Sequence, residues 1–131
     1  MNKSFINAEL SVDEFKALVT TLDAGNKNEL KAIIFKFGAT WCKPCQNIKG
    51  HCANCVTAMP DNIQCYDIDI DENIELYTTF KNKRMISGVP TLLGYVKKEN
   101  RNMNQWYASD ISIAGSNTNN INVFFQTIKN Y

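Results

Sequence analysis

The chain has 131 residues, 44% of them hydrophobic and 21% charged, which is the composition of one ordinary globular domain spanning residues 1–131. Fourteen basic and thirteen acidic side chains leave a formal net charge of +1, and that balance gives no electrostatic case for nucleic acid or an anionic membrane surface. No apolar run approaches the ~20 residues that span a bilayer.

Met1 to Asn7 carries no apolar signal-peptide core. The expectation is a soluble, cytoplasmic protein that acts as a monomer. Its five cysteines would then be mostly thiols, and an odd count leaves at least one outside any internal pairing.

In chain order, Phe5-Ile6 predicts a short edge strand. Ser11 with Glu14 three residues on reads as a helix N-cap and capping box. Val12, Phe15, Leu18, Val19 and Leu22 follow at helical spacing, and Gly25 stops that helix. Leu30 to Phe37 predicts a central strand, and a second helix runs from about Cys42 to Met59, turning at Pro60-Asp61-Asn62. Ile63, Cys65, Ile68 and Ile70 belong to a third strand. Ile74, Leu76, Tyr77 and Phe80 suggest a short third helix. Val89 to Val96 opens a fourth strand, Lys97 to Gln105 is a polar hairpin loop, and a fifth strand lies within Trp106 to Ala114. The last helix covers about Asn119 to Lys129, with Ile121, Phe124, Phe125 and Ile128 on one face. The order β-α-β-α-β-α-β-β-α predicts an α/β fold whose sheet is closed on one side by an antiparallel hairpin.

The segment richest in chemistry is Trp41-Cys42-Lys43-Pro44-Cys45. Two cysteines separated by two residues, where a strand gives way to a helix, form a dithiol that can open and close. A helix start favours the thiolate, and only the thiolate attacks disulfides. Thiol–disulfide exchange is the reading this favours, against a structural disulfide or half of a metal site.

With Gly88-Val89-Pro90-Thr91 and Gly115 before a final amphipathic helix, this segment makes the chain resemble the thioredoxins over nearly its whole length. The resemblance implies a thioredoxin fold, a central mixed sheet of four to five strands flanked by helices on both faces. It implies that Cys42, partly exposed, attacks a substrate disulfide, and that the better shielded Cys45 resolves the mixed disulfide. Pro90 would be a cis-proline facing the dithiol. Substrate contact is implied for Trp41, Val89, Pro90, Thr91 and Gly115. The implied partners are disulfide-containing proteins and an electron donor, either a thioredoxin reductase or a small thiol, with no bound cofactor or metal.

Four positions depart from the family pattern or bear on the poise of the dithiol. Lys43 lies between the cysteines beside Pro44, and a cation there stabilises a neighbouring thiolate unless solvent screens it. Thioredoxins usually carry a carboxylate six residues before the first cysteine and a lysine near it on the next strand. Here those places hold Lys36 and Asp67, so the charges are exchanged and an ion pair behind Cys45 is expected. A second pair, Cys52 and Cys55, follows His51. If the helix is continuous, Cys45 and Cys52 stand ~10.5 Å apart along its axis, too far for a disulfide or a four-thiolate zinc site. A kink at Gly50 is expected. Cys52, Cys55, Val56 and Met59 have the spacing to face the sheet, and Cys65 reads as core.

The leading reading is a dithiol–disulfide oxidoreductase that reduces protein disulfides. The alternatives are a protein disulfide oxidase or isomerase, or a zinc-stabilised binding module using the second Cys-x-x-Cys. No glutathione-binding signature supports a glutaredoxin.

Overall fold

In a computed structural model that describes residues 3–25 and 29–131, the chain forms a five-stranded mixed sheet with two helices on each face. The strands are β1 (Ile6–Asn7), β2 (Ala32–Gly38), β3 (Ile63–Asp69), β4 (Thr91–Val96) and β5 (Ile111–Ala114), and the helices α1 (Val12–Ala24), α2 (Lys43–Thr57), α3 (Ile74–Asn82) and α4 (Thr118–Lys129). Strand order is β1-β3-β2-β4-β5. The first three in that order run parallel, β4 pairs antiparallel with β2, and β5 pairs antiparallel with β4 at the edge.

All seven residues of β2 are buried, as befits a central strand covered on both faces. Its period of two sorts them. Ile33, Phe35 and Phe37 join Phe15, Val19 and Leu22 of α1 and Leu76 and Phe80 of α3. Ala32 and Ile34 face Ile48, Cys52 and Val56 of α2 and Ile121, Phe124, Phe125 and Ile128 of α4. Phe15 is the hub of the first cluster, its ring centroid within 5.7 Å of those of Phe35, Phe80, Tyr95 and Trp106.

Local chemistry sets the helix ends. The Ser11 hydroxyl accepts from the Glu14 N–H at 3.0 Å, and Glu14 Oε1 accepts from the Ser11 N–H at 3.0 Å, the reciprocal pair of a capping box. Gly25, at φ +82, closes α1 with its N–H donated to Leu22. At α3 the Asn73 side chain makes no cap. Its oxygen instead accepts from the Leu10 N–H at 2.7 Å, while its amide donates to Ala8 and Asp69 carbonyls. That stitches the segment entering α1 to the end of β3, next to the site described below.

Most element ends fall within two residues of expectation, and two of the differences have a local cause. The fourth strand begins at Thr91, because Pro90 has no N–H to give to the ladder. The fifth strand is only Ile111–Ala114. Trp106 leaves the sheet after a 3-10 turn at Met103–Gln105 and packs into the first cluster, 6% exposed.

An ion network holds that long connection. Arg101 Nε donates to Asp23 Oδ2 at 2.7 Å, and Nη2 to Asp110 Oδ2 at 3.1 Å and to the Val96 carbonyl at 2.6 Å. Lys98 also pairs with Asp110. Burial raises the Asp110 carboxyl, but donors from Lys98, the Val96 N–H and Arg101 outweigh it and hold the group below its ordinary value of 3.8. A depressed carboxylate stabilises the fold above its unfolded pKa, and that contribution is lost as pH falls through the lower folded value. Asp110→Asn should therefore cost about 2 kcal/mol at pH 7, since it leaves a buried guanidinium short of a charge partner. The gap from the wild type should shrink below about pH 4, as read by guanidinium unfolding at pH 7 and pH 3.

Candidate active site

The site lies where β2 ends and α2 begins, at the carboxyl edge of the parallel strands. Cys42 is the N-cap of α2 in extended backbone, and the Cys45 N–H donates to Cys42 Sγ at 3.2 Å. A helix N-terminus offers unpaired N–H donors and the positive end of the dipole. Pro44, in the first turn, gives up an N–H that would be unpaired there anyway. The two cysteines are joined as a disulfide, with Cα atoms 5.2 Å apart. Once the bond opens, Cys42 sulfur is the one held by a helix-end donor.

The cysteines differ less in exposure than expected: Cys42 is 5% and Cys45 4% exposed. Cys42 is thus buried rather than partly exposed, because the Val89–Pro90 turn covers it, with the Val89 carbonyl oxygen 3.7 Å from its sulfur. The surroundings distinguish them. Cys42 faces the turn, whereas Cys45 lines a cleft of about 310 Å³ on the other side, with Lys36, Gly38 and Asp67.

Around Cys42 the implied contact residues separate into exposed and buried ones. Trp41 is 67% exposed, and its Nε1–H donates to Asp71 Oδ2 at 2.8 Å. Val89 is half-buried and Gly115 exposed. The Gly115 N–H donates to the Pro90 carbonyl at 2.9 Å, and its φ of +96 is a conformation that suits glycine. Pro90 and Thr91 are buried. The Thr91 hydroxyl donates to the Gly88 carbonyl at 2.7 Å, so this side chain shapes the turn and does not face solvent. Nothing in the sequence marks Asp71 as the anchor of Trp41. Lys43 is exposed, where solvent screens its charge.

Lys36 and Asp67 stand opposite each other in the β2–β3 register, and Lys36 Nζ is 3.2 Å from Asp67 Oδ1. The lysine is 5% exposed and does not reach solvent. Its ammonium lies 5.3 Å from the centre of the Phe5 ring.

The remaining cysteines are free thiols. Helix α2 passes through Gly50 as continuous α-helix. Cys52 is fully buried against the sheet, and burial, only partly offset by Lys36, pushes its thiol up to about 11. Burial pushes Cys65 up to about 12. Cys55 departs from expectation. It is half-exposed beside α4, its sulfur 3.7 Å from Asn122 Oδ1, which also contacts His51 Nε2 at 2.7 Å. A helix advances 100° per residue, so with Cys52 and Val56 facing the sheet, Cys55 falls on the flank. Burial raises its thiol too. Among the described residues, no group of three or more His, Cys, Asp or Glu side chains is placed to hold a metal ion.

The family model for thioredoxin matches residues 7–114. Thioredoxin 3 of Plasmodium falciparum is 30% identical over 95 residues, 72% of this chain; the chain spans 47%, about half, of that relative's length. The crystal structure of a P. falciparum thioredoxin superposes with a TM-score of 0.65 at 25% identity, covering 97% of this chain and 93% of the other. A Trichomonas vaginalis thioredoxin shares the fold at a TM-score of 0.69 and 18% identity, covering 95% and 97%. Both structures share the fold of this chain.

Proposed function

The chain belongs to the thioredoxin family, whose members are dithiol–disulfide oxidoreductases, and on that premise we propose that it is itself a reductase of protein disulfides acting through Cys42 and Cys45. The observation that carries this reading is the helix-capping sulfur of Cys42, which accepts the Cys45 N–H at 3.2 Å. A donor that favours the thiolate makes Cys42 the nucleophile. The Cys42 thiolate attacks one sulfur of a substrate disulfide and displaces the other as a thiolate. Cys45 then attacks Cys42, the second substrate sulfur leaves, and the Cys42–Cys45 disulfide closes. Two electrons pass to the substrate, and a thioredoxin reductase or small thiol returns them. The exposed Trp41 indole, half-buried Val89 and exposed Gly115 form the surface on which we place the substrate chain, with Pro90 and Thr91 holding its shape.

We further read the chain as a single monomeric domain working in the cytoplasm, where a reducing poise suits its three free thiols. No described helix is long and apolar enough to cross a membrane.

The test is reduction of insulin by dithiothreitol with and without the protein, alongside its equilibrium with glutathione buffers read by alkylation mass shift. Accelerated insulin reduction and a midpoint more reducing than about −220 mV are expected. A midpoint well above that value would favour the oxidase or isomerase reading, for which the buried Lys36 cation is the one supporting observation.

A further inference from the structure

We propose that Lys36 is a positioning residue for the resolving step: its buried ammonium favours Cys45 as a thiolate across the gap left by Gly38, while Asp67 moderates that effect. The inference rests on the assignment of Cys45 as the resolving thiol.

The geometry carries it. On β2 the positions of Ile34, Lys36 and Gly38 share the face covered by α2. A methyl group on Gly38 would stand 3.5 Å from Cys45 Sγ and 4.0 Å from Lys36 Nζ. The residue between the cation and the sulfur therefore has no side chain, and both groups line one cleft.

The other charges facing this cleft are Asp67 and Asp69 on β3, Glu72 just beyond it, and Lys49 on α2. Cys52 is the further thiol on α2 that senses Lys36 and Asp67. Lys49 and Glu72 are exposed, and Asp69 is engaged by the Asp71 N–H at 2.9 Å. Asp67 has a side chain 29% exposed against 7% for Lys36. Screening removes most of the influence of exposed charges and spares buried ones, so the lysine dominates the field at Cys45.

In chemical terms, the Cys45 proton leaves to water in the cleft, and Lys36 keeps its own protons throughout. The Cys45 thiolate then forms the bond to Cys42 Sγ, the bond from Cys42 to the substrate sulfur breaks, and the substrate thiolate takes a proton from solvent. Lys36 supplies neither a proton nor electrons. It lowers the cost of placing negative charge on a buried sulfur.

The experiment follows the Cys45 13Cβ shift against pH in the reduced Cys42→Ser protein, with Cys55, further along α2 and set only by its burial, as the reference thiol. Lys36→Met should move the Cys45 titration up by about one pH unit, a tenfold loss of thiolate at neutral pH. Lys36→Arg should restore it, and Asp67→Asn, with Lys36 unchanged, should move it down. An unchanged or lowered Cys45 titration in Lys36→Met overturns the proposal. Should that variant fail to fold, an Asp67→Asn protein with an unmoved or raised Cys45 titration overturns it equally. A shift at Cys55 of the same size marks a global change and counts against it. Insulin reduction by the wild type judges the underlying reading separately, so the two can fail independently.

Discussion

Cys42→Ser should abolish insulin reduction, by on the order of a thousandfold or more, while the protein keeps its fold. The reaction begins with a thiolate, and a serine hydroxyl stays un-ionised at neutral pH even beside the same helix-end donor. The loss falls on chemistry and not on stability, because oxygen fits the space sulfur occupied and can still accept the Cys45 N–H. Cys45→Ser behaves differently. Its Cys42 should still attack with nothing to resolve the adduct, so a mixed disulfide with the substrate is expected to accumulate on a non-reducing gel. Turnover by both variants at the wild-type rate would remove the dithiol from the mechanism. Cys52 and Cys65, raised to about 11 and about 12 by burial, are not thiolates at neutral pH and offer no replacement nucleophile.

Phe15→Ala should cost about 4 kcal/mol, the largest stability loss expected from a single side chain here. Phe15 is fully buried and touches four other aromatic rings contributed by β2, α3, β4 and the segment after the 3-10 turn. Deleting it opens a cavity among rigid rings held by different elements, which cannot all move in to fill it. Against a total of about 5–15 kcal/mol for a domain, that loss leaves a marginal protein. Urea denaturation checks it: an unfolding free energy within about 1 kcal/mol of wild type would mean that the cluster repacks.

The elements legible in the sequence are those fixed by neighbours in the chain. Ser11 and Glu14 declare a helix start because both halves of a capping box lie within four residues. Phe15, Val19 and Leu22 repeat at helical spacing and are all fully buried. Trp41 to Cys45 needs only a strand before it and a helix after it to suggest its chemistry. What escaped is settled by contacts distant in sequence. Trp106 has the composition of a strand residue, but Arg101, held by Asp23 78 positions away, keeps the connection off the sheet and directs the indole into the core. Cys42 looks accessible until the Val89 turn, 47 residues on, covers it. Asp71 carries no mark of its bond to Trp41, since only the approach of β3 to the end of β2 brings them together. Lys36 and Asp67 were legible by counting positions, but the lysine's burial and its shared cleft with Cys45 belong to the folded state.

The two tryptophans occupy opposite environments. Trp41 projects into water next to the dithiol, and Trp106 is sealed among Phe15, Phe80 and Tyr107. Their light emission therefore answers to different events. The outer indole emits at longer wavelength and is quenched by the disulfide close by, so its brightness follows the electron count of the site. The inner one emits further to the blue and changes only when the core opens. One spectrum thus carries two separate signals, and a loss of activity through oxidation can be told by colour from a loss through unfolding.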